Sequence, residues 1–161
     1  MNALTGDRHR RLLRRLPGYL LRPLALFPGR LSQQGFVLLC NQVFAAPLAR
    51  GELAFLDQRL VSIAIEDAGI LLELTVTAGR LRAPVGGRSA DATIRGSSYD
   101  LLLLASGRED PDTLFFQRRL RLEGDTELGL HLKNFLDAWE PPAGMAVFQR
   151  LADAYLRRAE P

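Results

Sequence analysis

Within residues 117–139, the spacing of apolar positions changes from every second residue, as in a strand, to every third or fourth residue, as in a helix. Leu120 and Leu122 alternate with charged side chains, as in a strand that buries one face. Gly124 then interrupts the alternation, and Asp125 is placed to accept hydrogen bonds from the free amides of a following helix. The pattern therefore predicts a strand, a tight turn and an amphipathic helix. The apolar stripe of that helix comprises Leu128, Leu132, Phe135, Leu136 and Trp139.

An earlier helix is predicted from Gln33 to Leu48. Its residues are apolar on nearly every side, which is typical of a helix buried on more than one face. Cys40 lies among them and is interpreted as a small buried hydrophobe, not as a catalytic thiol. The most continuous face comprises Phe36, Leu39, Cys40, Val43 and Phe44.

Alternating residues downstream of this helix predict four further strands. Residues 61–66 and 72–76 alternate, and a turn at 67–69 joins them, so the two segments are expected to form a hairpin. Shorter strands are predicted at 81–83 and 90–95. The glycine-rich loop between these two strands lacks the spacing of a phosphate-binding loop.

A short helix is predicted after the fourth strand. Ser97 and Asp100 stand three residues apart, the spacing of a helix N-terminal cap, and Leu101 and Leu104 belong to the four leucines that follow. The charged residues 108–112 are then expected to form a solvated loop, since they lack the spacing of a calcium-binding loop.

These elements indicate an α+β fold. We expect about five strands in a largely antiparallel sheet, covered on one side by helices, with extra helical segments at both ends. The last helix is predicted from Met145 to Arg158, with Phe148 on its apolar face. The apolar faces together could fill a solid core or line a cavity of ligand size, and the pattern alone leaves both interpretations open.

Charge is distributed unevenly along the chain. No carboxylate lies between Asp7 and Glu52, a stretch that carries eight arginines. The arm at residues 8–27 alternates arginine with leucine, and Pro17 and Pro23 divide it into short amphipathic pieces. It could be a surface helix pair packed on the domain or an interfacial segment on an anionic membrane. Nucleic-acid binding is less favoured, because leucines interrupt the basic residues and no recognition-helix pattern follows.

Bulk composition is that of a single globular domain. The 161 residues suffice for one core, and apolar and charged contents of 47% and 24% are ordinary. One cysteine excludes an internal disulfide and fits a reducing compartment, so we expect a cytoplasmic protein. No apolar run is long enough to span a membrane, and the arm does not have the pattern of an export signal.

No pattern of residues indicates catalysis. His9 and His131 stand far apart, and neither has a neighbour at metal-ligand or triad spacing, so both are interpreted as structural. The nucleophile-elbow, zinc-protease and C-x-x-C motifs do not occur. The carboxylates near Gly124 are explained by capping and solvent exposure. We therefore expect a protein that is not an enzyme and needs neither a metal nor a cofactor.

The string FFQRRLRLEGDTELG, from Phe115 to Gly129, resembles the signature of sterol carrier protein type 2 (SCP2) lipid-binding domains. With Lys133, Asn134 and Asp137 added, it resembles a bacterial branch of these domains, accessory factors of ubiquinone biosynthesis. The resemblance implies an α+β fold around a lipid tunnel, and a non-catalytic factor that presents polyprenylated quinone precursors to modifying enzymes in the oxygen-independent route. It also implies UbiU and UbiV as protein partners, while a general phospholipid carrier and an assembly scaffold remain alternatives.

The resemblance divides the chain into three parts. We expect a basic arm at 1–30, an SCP2-like domain at 31–140 and a C-terminal helix at 141–161 that packs on the domain. The arm would dock on the inner membrane through Arg8, Arg10, Arg11, Arg14, Arg15, Leu12, Leu13, Leu16 and Leu20. The lipid would contact Phe36, Leu39, Val43, Phe44, Leu101, Leu104, Phe115, Phe116, Leu120, Leu128, Leu132, Phe135, Leu136, Trp139 and Phe148.

Overall fold

The structure, a computed structural model, describes residues 29 to 159. The basic arm predicted to dock on a membrane thus lies almost wholly outside the described residues. Six α-helices and five strands follow one another in the described part: α1 (Gly29–Val43), α2 (Ala45–Ala49), β1 (Val61–Ile65), β2 (Ile70–Thr77), β3 (Arg80–Arg82), β4 (Ala92–Gly96), α3 (Ser98–Ser106), α4 (Pro111–Phe116), β5 (Leu120–Gly124), α5 (Thr126–Ala138) and α6 (Ala146–Ala159). Short 3-10 turns lie at Ala54–Leu56 and Ala143–Met145.

The five strands form one sheet in the order β3-β2-β1-β4-β5. Neighbours pair antiparallel except β1 and β4, which are parallel. Strand β1 is therefore central, with Ile63 opposite Leu72 on one side and Ile94 on the other. This confirms the predicted α+β fold with a largely antiparallel sheet.

Only one face of the sheet is apolar. Val61 shares a buried cluster with residues of α1 and α5, so the residues in register with it face the helices. The opposite face carries polar and charged side chains, including Glu73, Thr93 and Arg95. Arg95 there pairs with Glu123 of the neighbouring strand at 2.7 Å. The alternation seen in the sequence thus places α1 and α5 on the same side of the sheet.

Helix α1 covers one edge of the sheet through two side-chain amides. Asn41 donates from Nδ2 to the carbonyl of Leu81 at 2.8 Å and accepts from the same residue's amide at 3.1 Å. Gln33 makes the equivalent pair of bonds with the backbone of Glu73. Asn41 thus satisfies backbone groups of the edge strand β3, and Gln33 those of β2 at a residue that the short β3 does not pair, which protects this side of the sheet from pairing with another chain.

Helix α1 ends earlier and is less buried than the sequence predicts. The predicted single helix 33–48 is already helical at Gly29, the first described residue, and is interrupted at Phe44, which precedes the separate helix α2. The expectation of burial on more than one side is wrong: Leu38 and Leu39 are 68% and 56% exposed. Only the face that carries Phe36, Val37 and Cys40 packs on the core. Burial raises the pKa of the Cys40 thiol to about 12, which disfavours the reactive thiolate at neutral pH.

The segment before β5 also differs from its prediction. Residues 108–112 were expected to form a loop, but Asp110 accepts a hydrogen bond from the amide of Thr113 and caps helix α4, with Pro111 in its first turn. The strand predicted from Gln117 begins only at Leu120. The reason is a helix-ending turn in which Arg118 takes the left-handed conformation, with φ +58°.

The turn into α5 is held by charged side chains. Asp125 caps the helix as predicted, accepting from the amides of Glu127 and Leu128 at 3.0 Å. These amides and the Arg59 guanidinium hold the pKa of the Asp125 carboxyl below its usual value. Asp91 accepts from the amide of Leu60, which likewise lowers its pKa. Sheet and helix are thus joined at this end by groups that are charged at neutral pH.

Helix α6 packs on α3 through a second, smaller cluster. Ala152 and Tyr155 of α6 contact Tyr99, Leu102 and Leu103 of α3. Burial raises the pKa of the Tyr155 phenol to about 12, as expected for a ring held between two helices. None of the described helices is long and apolar enough to cross a membrane.

Candidate functional site

The candidate site is the apolar space between the sheet and its helices. Two contrasting environments meet there. Near one end of the sheet, Val61, Leu74 and Ala92 are buried beneath Leu128 and Leu132 of α5. Further along β1, on the same face, Ile63 and Ile65 are only partly buried. Ile70, opposite Ile65 in the hairpin, is also partly exposed.

The exposure of Ile63 tells most about how completely the helices cover the sheet. It lies on the central strand, between Leu72 and Ile94, and both of these neighbours are buried. A residue in that position would be fully enclosed if the helices closed completely over the sheet, because protein cores are packed without voids of solvent size. The partial exposure of Ile63 therefore indicates that the described helices leave part of the apolar face of the central strand uncovered.

Five aromatic side chains form a continuous row on the helical side, called the aromatic row: His131, Phe55, Phe135, Phe44 and Trp139. The ring centroids of Phe44 and Phe135 are 5.6 Å apart in an edge-to-face arrangement, and Phe44 lies 5.2 Å from Trp139. Phe55, in the 3-10 turn, adds contacts of 6.2 Å to Phe135 and 5.7 Å to His131. These separations are typical of favourable aromatic pairs. Helix α5 ends at Ala138, one residue earlier than the predicted stripe, and Trp139 continues in extended conformation.

The structure separates the predicted lipid-contacting residues into groups. Leu120, Leu128 and Leu132 are buried. Leu39 and Phe116 lie on the outer surface, and Phe116, the last residue of the short helix α4, is 91% exposed. The side chain of Phe148 lies outside the part of the chain that the structure describes. The partly buried members are Phe36, Val43, Phe44, Leu101, Leu104, Phe115, Phe135, Leu136 and Trp139.

The sequence prediction missed Ile63 and Phe55 as site residues. The alternation identified Ile63 as a strand residue that faces inward, but no sequence signal distinguishes a central strand with open space above it from one that is covered. Phe55 lies in a 3-10 turn too short to show a period. The aromatic side chain of Phe55 is the one sequence feature that could have identified it as a site residue.

The described residues offer noncovalent apolar contacts and no group activated for chemistry. Within residues 29–159, no three histidine, cysteine, aspartate or glutamate side chains are grouped so that they could hold a metal ion. Most of the charged groups that are partly buried are engaged in ion pairs, while Asp67 and Glu73 accept hydrogen bonds from Ser98 and Ser62. Arg119, for example, donates to Asp100 and Glu109 at 2.6 to 2.8 Å, which ties strand β5 to helix α3 and the loop after it.

Comparison with known proteins agrees with this geometry. Residues 38–137 match the model of the SCP-2 sterol transfer family. The ubiquinone biosynthesis accessory factor UbiT of Escherichia coli (strain K12) is 40% identical over 141 residues, which is 85% of this chain and 80% of that protein. Bovine sterol carrier protein 2 is 39% identical over 51 residues, 32% of this chain and 9% of that protein.

Among solved structures, "UbiJ-SCP2 Ubiquinone synthesis protein" superimposes with a TM-score of 0.54 at 16% sequence identity. The superposition covers 67% of this chain and 95% of that one. At this level of identity the match shows a shared fold. The family model and the extent of identity together show that the chain belongs to the SCP-2 sterol transfer family, in the branch of the ubiquinone biosynthesis accessory factor UbiT.

Proposed function

We propose that this protein is a non-catalytic lipid-binding factor of ubiquinone biosynthesis, which holds polyprenylated ring precursors and presents them to modifying enzymes. The observation that carries the proposal is the partial exposure of Ile63 at the centre of the apolar sheet face, which the described helices cover only in part. The name of the E. coli relative supports the pathway. The oxygen-independent branch of that route, with UbiU and UbiV as partners, is part of the same proposal.

The physical task suits such a site. A polyprenyl tail is insoluble in water, and each methylene moved from water into an apolar site contributes roughly 0.8 kcal/mol. A few enclosed isoprene units therefore suffice for tight binding. A carrier can leave the ring end reachable for an enzyme while the tail remains shielded, and this division needs no catalytic group in the carrier.

Mass spectrometry of an organic extract tests the proposal. The protein, purified from cells that make ubiquinone, is expected to carry prenylated ring compounds in near-stoichiometric amount. Phospholipid in their place would contradict the pathway and favour a general lipid carrier. Protein free of lipid, together with failure to take up prenylated phenols in vitro, would overturn lipid binding itself.

The basic arm, which lies outside the described residues, is proposed to dock the protein on the anionic inner membrane surface. Replacement of Arg11, Arg14 and Arg15 by Glu should release the protein from vesicles that contain phosphatidylglycerol, because each basic residue near such a surface contributes about 1 kcal/mol. Sedimentation with vesicles measures this. The matched control replaces the exposed Arg80, Arg82 and Arg150 of the described part of the chain, and equal loss in both variants would contradict a special role of the arm.

A role as an assembly scaffold is the second candidate. It is favoured by apolar side chains that are exposed on two helices outside the sheet: Leu31, Leu38 and Leu39 on α1, and Val147 and Leu151 on α6. A scaffold should copurify with pathway proteins while its organic extract contains no lipid. The extraction experiment therefore distinguishes the two functions.

A further inference from the structure

The aromatic row is continuous from one end to the other, which packing of the core alone does not require. Its members, in order, are His131, Phe55, Phe135, Phe44 and Trp139. Each ring contacts the next at centroid distances of 5.2 to 6.2 Å. The rings come from separate parts of the sequence: the break between α1 and α2, the 3-10 turn, helix α5 and the residue after it. Four of the chain's twelve Phe, Tyr and Trp side chains are thereby gathered into one row.

The rings are also incompletely covered. Leu128 and Leu132, from the same helix as Phe135, are buried, whereas the phenylalanine rings and the indole in the row are all partly exposed. Phenylalanine, like leucine, is among the residue types most often fully buried, whereas tryptophan rarely is, so the comparison with these leucines rests on the three phenylalanine rings. Part of the aromatic surface is therefore available to another molecule.

The row packs against the buried cluster that precedes the partly exposed part of β1. Phe44, Phe55 and Phe135 pack against the buried cluster that contains Val61, and Ile63 is the next residue of the same strand on the same face. A molecule with an aromatic end and an aliphatic tail could therefore contact the rings and the isoleucines at once. Aromatic faces distinguish between these two ends, because ring–ring pairs add stabilisation beyond that of buried area and aliphatic tails do not form them.

We propose that this aromatic row is the binding site for the aromatic ring of the prenylated ligand, and that the tail extends along the sheet past Ile63. The proposal rests on the proposed lipid-binding function and adds the position and the chemical class of the group recognised there. At one end of the row, the exposed His131 offers a nitrogen that can hydrogen-bond a ring oxygen. Ring and tail would thus be recognised by different parts of the site.

Two ligands that share a tail separate ring recognition from tail recognition. 2-Farnesylphenol carries the ring, and farnesol has the same isoprenoid chain without it. Calorimetry should show that Phe135→Leu weakens binding of 2-farnesylphenol about threefold to tenfold, the range expected for one aromatic pair. Binding of farnesol should change less than about twofold, because leucine keeps the apolar surface. Phe116→Leu, at an exposed ring off the row, is the matched control and should change neither affinity.

The outcomes distinguish this inference from the function on which it rests. Equal weakening for both ligands would make the row an ordinary apolar wall and overturn ring recognition while lipid binding stands. Failure of the wild-type protein to bind either ligand would overturn both. If Phe135→Leu does not fold, Phe44→Leu and Phe55→Leu decide by the same comparison.

The single tryptophan gives an independent test of position. Trp139 ends the row, so a bromine on the phenol ring should quench its fluorescence saturably, with the midpoint at the calorimetric Kd. A bromine at the far end of the farnesyl tail should quench much less. Equal quenching by both compounds, or none by the ring bromide at saturation, would contradict the proposed orientation.

Discussion

Replacement of Gly124 by alanine should destabilise the protein by several kcal/mol. A Cβ at this position would lie 2.4 Å from the carbonyl oxygen of Asp91 and 3.1 Å from the Cα of Ala92, both of them backbone atoms of the neighbouring strand. The φ of Gly124 is also +97°, which side-chain-bearing residues rarely adopt. Overpacking costs about 1–3 kcal/mol and an unfavourable positive φ about 1–2 kcal/mol, so a total of roughly 2–5 kcal/mol is expected.

Gly79→Ala is the matched control for backbone conformation. Gly79 has a φ of +72°, but a Cβ there would meet nothing within 4 Å. Its alanine variant should therefore lose only the conformational part, about 1–2 kcal/mol. Urea unfolding measures both values. Equal losses in the two variants would show that close approach of the strands at Asp91 contributes nothing.

Local pattern predicted the fold well where its signals were strong. Alternation placed β1 and β2, helical spacing placed α5, and the caps at Ser97 and Asp125 are both formed. The predictions failed where a residue type is compatible with more than one local structure. Asp110 was interpreted as a solvated charge but caps a helix, and Arg118 occupies a left-handed position that commonly holds glycine.

The candidate site was less predictable, because exposure depends on how separate elements pack. Phe36, Leu39 and Cys40 look equivalent in the sequence, yet Cys40 is 6% and Leu39 is 56% exposed. Which side of α1 faces the sheet is determined partly by Gln33 and Asn41, which bind strand backbones 40 residues away. A pattern within one helix contains no information on such distant partners.

Enlargement of Ile63 tests whether the space above the central strand is open. Ile63→Phe should leave the free energy of unfolding within about 1 kcal/mol of the wild-type value, because the larger ring extends into space that the helices leave uncovered. The same ring should displace the tail of a bound lipid. We expect the affinity for farnesol to fall by roughly tenfold or more, equivalent to about 1.4 kcal/mol.

Val61→Phe provides the control on the same strand and the same face. Val61 is 3% exposed beneath α5, so the added volume must displace neighbours and should cost about 1–3 kcal/mol of stability.

Urea unfolding and farnesol titration of both variants compare stability and lipid affinity at the two positions. A solid core would make Ile63→Phe at least as destabilising as Val61→Phe, and that result would remove the observation on which lipid binding rests. A stable Ile63→Phe protein that binds farnesol with unchanged affinity would instead place the tail elsewhere. Stability retained and farnesol binding lost at position 63 alone would locate the tail over the centre of the sheet, because the two positions differ in cover and not in strand, face or chemistry.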